Sequence, residues 1–143
     1  MPDVETYVFR HLRGSVVAVV LIVEDEEQVR VLAESYLQGE GHRTLSAATT
    51  EQALALLGGE DSIDLLFVDL TIQDDPEAGL KLASKAVEVC PDLNVLYTSG
   101  QGVTDGMIAL FVKNSAYLPK PYTVDQLTAT LLVKFGFGHK QSN

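Results

Sequence analysis

Short apolar or β-branched runs alternate with stretches of helical periodicity along almost the whole of this chain. Runs at 16–23, 43–47, 63–69, 93–98 and 115–118 have the length and composition of strands, and each is followed by residues repeating at helical spacing. After the first run, Val29, Leu32, Tyr36 and Leu37 fall on one face of a helix over about 26–38, with Glu27, Arg30 and Glu34 elsewhere, and Gly39 and Gly41 stop it. A second helix begins after Thr49 or Thr50, either of which can cap it, and carries Ala53, Leu54 and Leu57 up to Gly58 and Gly59. The third has the clearest stripe, Leu80, Ala83, Val87 and Cys90, and closes at Pro91. Gly100, Gly102 and Gly106 weaken the start of the fourth, although Met107, Ile108, Phe111 and Val112 can still face a core. Thr123 caps a fifth, whose inner side is Val124, Leu127, Leu131 and Phe135. Five strand-helix units predict an α/β fold, a parallel sheet covered by helices on both faces.

These units make one domain over 16–136. They leave an N-terminal extension, 1–15, and a C-terminal tail, 137–143, neither long enough for a second domain. Tyr7, Val8, Phe9 and Leu12 in the extension are expected to fray, or at most to lay an amphipathic turn or two against the body.

Composition narrows the function. Of the 143 residues 46% are hydrophobic, enough for a substantial core. Ten Lys and Arg against 20 Asp and Glu give a net charge of -10, a field that repels nucleic-acid backbones, so direct DNA or RNA binding is not expected. Cys90 is the one cysteine and cannot form an internal disulfide; its place on the third helix predicts burial in a reducing compartment. The run at 16–23 is too short to span a membrane and is followed by acids rather than a cleavage pattern, so no membrane association is expected and the cytosol is the expected location. His11, His42 and His139 are dispersed with no cysteine beside them, which gives no zinc site, and His42 is expected to open the second strand. Gly100-Gln101-Gly102 lacks the third glycine of a dinucleotide fingerprint, and no glycine precedes a lysine as in a phosphate-binding loop, so bound nucleotide is not expected.

Candidate chemistry lies where the strands end. The first runs into Glu24, Asp25 and Glu26, the third ends on Asp69, the fourth on Thr98 and the fifth on Lys120. In an open parallel sheet these ends form the ligand crevice. If the first and third strands are neighbours, Glu24, Asp25 and Asp69 share it, and three carboxylates that close repel one another unless a cation intervenes; hard oxygen donors suit Mg²⁺. Asp69 can then act as nucleophile on phosphorus, with Mg²⁺, Thr98 and Lys120 offsetting phosphoryl charge. Acids after a strand are also ordinary helix N-terminal residues, so Glu24 to Glu27 by themselves carry little.

Through LIVEDE, LLFVDL, VLYTSG and YLPKPY, in that order over 16–135, the chain resembles two-component response-regulator receiver domains of the CheY-like, single-domain kind. The resemblance implies a flavodoxin-like, doubly wound five-stranded parallel sheet of order 2-1-3-4-5 with five helices. It implies that Glu24 and Asp25 are the acidic pair, Asp69 the phosphoacceptor, Thr98 the switch hydroxyl, Lys120 the site lysine and Tyr117 the switch aromatic. It adds the backbone carbonyl of Thr71 to the metal ligands Glu24, Asp25 and Asp69, makes Thr71 and Gly100 the positions that tune water access, and implies a cis Lys120-Pro121 bond. A histidine kinase or phosphotransfer protein would be the phosphoryl donor and Mg²⁺ the cofactor. Signalling to an unidentified protein target would use the face of the fourth helix, fifth strand and fifth helix, and pairing into homodimers on phosphorylation is a family habit. Such a protein is a regulator and not an enzyme, with at most intrinsic autophosphorylation and autodephosphorylation.

The chain departs from the family in the loop after Asp69, where 71–78 reaches Gly79 by a longer and more acidic path than the usual methionine-proline turn. No output domain follows, so a complete chain would signal by binding another protein or passing the phosphoryl group on. Two other readings stand beside this one: a receiver-fold interaction module that works without phosphorylation, and a Mg²⁺-dependent phosphohydrolase of small esters. The second expects an Asp-x-Asp pair after the first strand, where this chain has Glu24 and Glu26.

Overall fold

The computed structural model describes residues 15–139; the leader expected over 1–15 lies outside them apart from Ser15, as does the tail beyond His139. In chain order the elements are β1 (Ser15–Val16), β2 (Val19–Val23), α1 (Glu27–Gly39), β3 (Arg43–Ala47), α2 (Thr50–Leu57), β4 (Leu65–Asp69), α3 (Ala78–Val89), β5 (Asn94–Ser99), α4 (Asp105–Ile108), β6 (Ser115–Pro119), α5 (Val124–Phe135) and β7 (Gly138–His139). The strands β3-β2-β4-β5-β6 form one parallel sheet, the expected order 2-1-3-4-5 for its five members.

Alternation along the central strands sorts side chains onto two cores. Leu21 and Val23 of β2, Leu66 and Val68 of β4, and Val95 and Tyr97 of β5 pack on one face with Ala53 and Leu57 of α2 and Leu82, Ala83 and Ala86 of α3. Val20 and Ile22, Leu65 and Phe67, and Leu96 pack on the other with Ala33 and Leu37 of α1 and Leu127 and Leu131 of α5. All five residues of β4 are buried, which is why that strand reads as an unbroken apolar run ending in a carboxylate.

The expected strand at 16–23 is split in two. At the break the Ala18 amide donates to Nδ1 of the buried His42, 2.9 Å away, and the Val19 amide to Oδ2 of Asp64, 2.8 Å. Side chains thus take the donors that a neighbouring strand would have used, and the chain before them turns off to pair, as β1, antiparallel with β7. His42 sits one residue ahead of β3 as a core acceptor. Past Gly136, a left-handed cap of α5, Phe137 still packs against the second core.

The helices correct three expectations. On α1 the inward row is Ala33 and Leu37, and Leu32 is exposed, because the row that meets the sheet advances by four residues. Only Asp105–Ile108 is helical in the fourth, leaving Ile108 exposed while Met107, Phe111 and Val112 pack against the first core. Phe111 stacks on Tyr97 at 4.0 Å, and the Tyr97 hydroxyl accepts from the Val112 amide at 3.1 Å, so this aromatic anchor replaces the missing turns. Cys90 caps the end of α3 and is half-buried rather than buried. Of the two candidate caps on α2, Thr49 takes the role, accepting from the Gln52 amide, and Thr123 forms a reciprocal capping box with Gln126.

Candidate functional site

The ends of β2, β4 and β6 deliver the site. Glu24 stays on the sheet, its amide bonded to the Ala47 carbonyl and its carbonyl to Arg30 Nη1 at 2.9 Å. The Lys120 amide bonds the Ser99 carbonyl at 3.0 Å, and the following Lys120-Pro121 bond is cis, as the resemblance implied. From there the Lys120 ammonium donates to Asp69 Oδ2 at 2.6 Å and to Glu24 Oε1. The second oxygens of these carboxylates take backbone donors: Glu24 Oε2 the Glu26 amide and Asp69 Oδ1 the Thr71 amide, each at 3.2 Å. Asp25 is the exposed acid of the group, and its Oδ2 accepts from the Gln73 amide at 2.9 Å.

Oxygens of Glu24, Asp25 and Asp69 all lie within 4.8 Å of one another. Three carboxylates against one ammonium leave the cluster negative, and its donors are hard oxygens beside an open cleft of about 280 Å³ lined by Asp25, Asp69, Thr71, Asp74, Gly100 and Lys120. This donor set fits Mg²⁺. Burial pushes the Glu24 carboxyl up from 4.5 to about 7, the Lys120 hydrogen bond opposing and Asp69 repulsion adding to the rise. Burial alone would lower the Lys120 pKa, but its bonds to Asp69 and Glu24 outweigh that and raise it above 10.5. Behind the cluster Tyr122 packs on Phe67, and burial pushes its hydroxyl up to about 12.

Thr98 lies opposite Asp69 in the β4–β5 register and is 4% exposed. Its Oγ1 has no hydrogen-bond partner, the one buried side-chain oxygen or nitrogen so placed among the described residues. Tyr117 lies on β6 outside the cleft, half-buried, with its hydroxyl donating to the Ser99 carbonyl at 3.3 Å and its ring 6.4 Å from Phe111.

Three features were not read from the sequence. Gly79 has to be glycine, because a Cβ there would stand 2.3 Å from the Asp69 carbonyl oxygen; a glycine at a loop-helix junction was the available signal. Tyr122 packs on Phe67 behind the cluster, and its adjacency to Lys120-Pro121 was the clue. The turn at Gln73 and Asp74, both at positive φ, lacks the Asn-Gly signature that would have marked it.

The sequence profile of the response regulator receiver domain matches residues 20–132. The chain belongs to that family. It is 30% identical over 110 residues to the nitrogen assimilation regulatory protein NtrX of Azorhizobium caulinodans, a match covering 76% of this chain and 24% of that one. The chain spans less than half the length of the curated relatives it matches. The NtrX structure from Brucella abortus superimposes with a TM-score of 0.72 at 28% identity, over 82% of this chain and 26% of that one. A response regulator from Burkholderia pseudomallei, solved with a phosphorylated aspartic acid, calcium ion and citrate, gives 0.70 at 25% identity, over 81% of this chain and 67% of that one. The fold is that of CheY-like receiver domains, and such domains are regulators rather than conventional enzymes. No described helix is long and apolar enough to cross a membrane.

Proposed function

We propose that this chain is a phosphorylation-dependent switch that accepts a phosphoryl group on Asp69 from the phosphohistidine of a histidine kinase or phosphotransfer protein. The observation that carries this reading is the Lys120 ammonium 2.6 Å from Asp69 at the rim of a cleft large enough for a phosphoryl group. An Asp69 oxygen attacks phosphorus, the phosphorus-nitrogen bond breaks, and its electron pair leaves with the imidazole, which takes a proton from solvent. Lys120 stays paired with the aspartyl group and offsets the charge that arrives.

Glu24, Asp25, Asp69 and the Thr71 carbonyl would hold Mg²⁺, whose charge, when bound, neutralises phosphoryl oxygens. Two contacts support a role for Thr71: its amide donates to Asp69, and the Ile72 amide bonds Asp75, so in a planar trans peptide the Thr71 carbonyl is directed away from that bond. The unpartnered Thr98 hydroxyl is a buried donor in need of an acceptor, and a phosphoryl oxygen at the end of the adjoining strand supplies one. Thr98 moving toward it frees space for Tyr117 to turn inward and reshapes the face of α4, β6 and α5, which signals to a protein target. The phosphorylated aspartate and calcium of the Burkholderia relative support the same chemistry here.

Incubation with Mg²⁺ and acetyl phosphate, followed by intact mass, is expected to give one phosphoryl adduct that is lost in Asp69→Asn. An adduct that persists in that variant, or none in the wild type, sinks the reading.

A further inference from the structure

The longer loop after β4 is a tight hairpin. Ile72 and Asp75 exchange both backbone hydrogen bonds, at 3.2 and 3.0 Å, and the residues between them, Gln73 and Asp74, have φ of 52° and 63°. Positive φ at both central positions is the type I′ turn, which glycine and asparagine favour and other side chains resist. The strained pair is held from both sides. Ile72 is 2% exposed and anchors the turn in the first core, and Asp75 Oδ1 accepts from the Glu77 amide at 2.9 Å, tying the turn to the start of α3. The amides on either side of Ile72 then each meet a site carboxylate: Thr71 donates to Asp69 and Gln73 to Asp25.

Asp25 is the exposed member of the acidic cluster, and an exposed carboxylate rotates unless something holds it. We infer that the Gln73–Asp74 turn is a backbone clamp for divalent-cation binding, with Gln73 a positioning residue whose amide fixes Asp25 in the orientation that shares a cation with Glu24 and Asp69. This rests on the reading of the site as a Mg²⁺-dependent phosphoacceptor. The bond engages Asp25 Oδ2 and leaves Oδ1 for the cation. Ordering of the ligand is completed on folding and not charged to binding, as when an outer hydrogen bond orients a metal ligand.

The full chain is titrated with Mg²⁺ by calorimetry in three forms: wild type, Gln73→Val with Asp74→Val, and Gln73→Asn with Asp74→Gly. Both double variants remove the Asp74 charge, so their difference reports turn geometry alone. β-Branched residues resist positive φ, and the valine pair is expected to bind Mg²⁺ roughly tenfold more weakly than the Asn-Gly pair, with phosphoryl adduct restored at saturating Mg²⁺. Replacing the residue-73 amide by an ester removes the donor to Asp25 and also weakens the Ile72 carbonyl as acceptor for the Asp75 amide, and is expected to cause the same loss; retained Mg²⁺ affinity in this variant decides the matter if the valine pair does not fold. Equal Mg²⁺ affinity in the two double variants, or no loss in the ester, overturns the clamp while leaving the phosphoacceptor reading intact. A wild type that binds no Mg²⁺ overturns both.

Discussion

Glu24 and Asp25 are neighbours in the chain and belong to different halves of the site. Glu24, with Asp69 and Lys120, forms an ion cluster whose side chains are only 5%, 10% and 17% exposed. Asp25 is exposed, held by the amide of a surface turn. The buried half is tied to folding, because its charges have left water and depend on each other. The exposed half retains its hydration and can exchange it for a ligand at little cost to the fold. The end of the strand explains the division: Glu24 follows β2 with its amide still bonded to the Ala47 carbonyl, whereas Asp25 lies beyond the sheet in the connection to α1.

Removing Lys120 should break the contrast most forcefully. Lys120→Met strands two buried carboxylates and is expected to cost about 3 kcal/mol or more in a denaturant titration without metal, with part of the loss recovered in Mg²⁺. If stability hardly moves, the cluster is not the buried half of anything. Gly79→Ala tests the packing beneath it: a methyl group forced against the Asp69 backbone should cost about 2 kcal/mol in the same titration, and a neutral result would mean the strand end yields easily.

The pH dependence sharpens the comparison further. The folded pKa of Glu24, about 7, lies above its ordinary value of 4.5, so in this window the folded chain keeps a proton that the unfolded chain has released. Its contribution is therefore full below pH 4.5 and is lost as pH rises through about 7. In metal-free protein the melting temperature of wild type relative to Glu24→Gln should fall across that range; a flat difference would place Glu24 in water-like surroundings.

Thr98→Val removes a buried hydroxyl that has no partner, and should be neutral or stabilising by about 1 kcal/mol. It should nonetheless abolish the tyrosine-fluorescence response to beryllofluoride, and an intact response would remove Thr98 from the switch. Asp25→Asn should change stability least, within about 0.5 kcal/mol, while weakening Mg²⁺ binding; a large loss of stability would erase the distinction between the halves.

Much of this molecule was legible before any coordinates. The five apolar runs located the sheet strands to within two or three residues, and the acids and the lysine that follow three of them come together at one candidate site. What could not be read was which of several similar side chains would face inward. Leu32 and Ile108 fit helical stripes as well as Ala33 and Met107 do, and only the line along which each helix meets the sheet separates them. The loop at 71–78 read only as a longer and more acidic path, because neither Gln73 nor Asp74 announces a positive φ.

Periodicity, strand-end acids and motif order are properties of residues close together in the chain, and they were sufficient for fold, family and a candidate phosphoacceptor. Burial and partnership belong to residues far apart: Lys120 meets Glu24 across 96 positions and Asp69 across 51, and Gln73 meets Asp25 across 48. Which acid is desolvated, which is clamped by an amide and which hydroxyl is left without a partner depend on several distant segments packing at once, and packing is settled only in three dimensions.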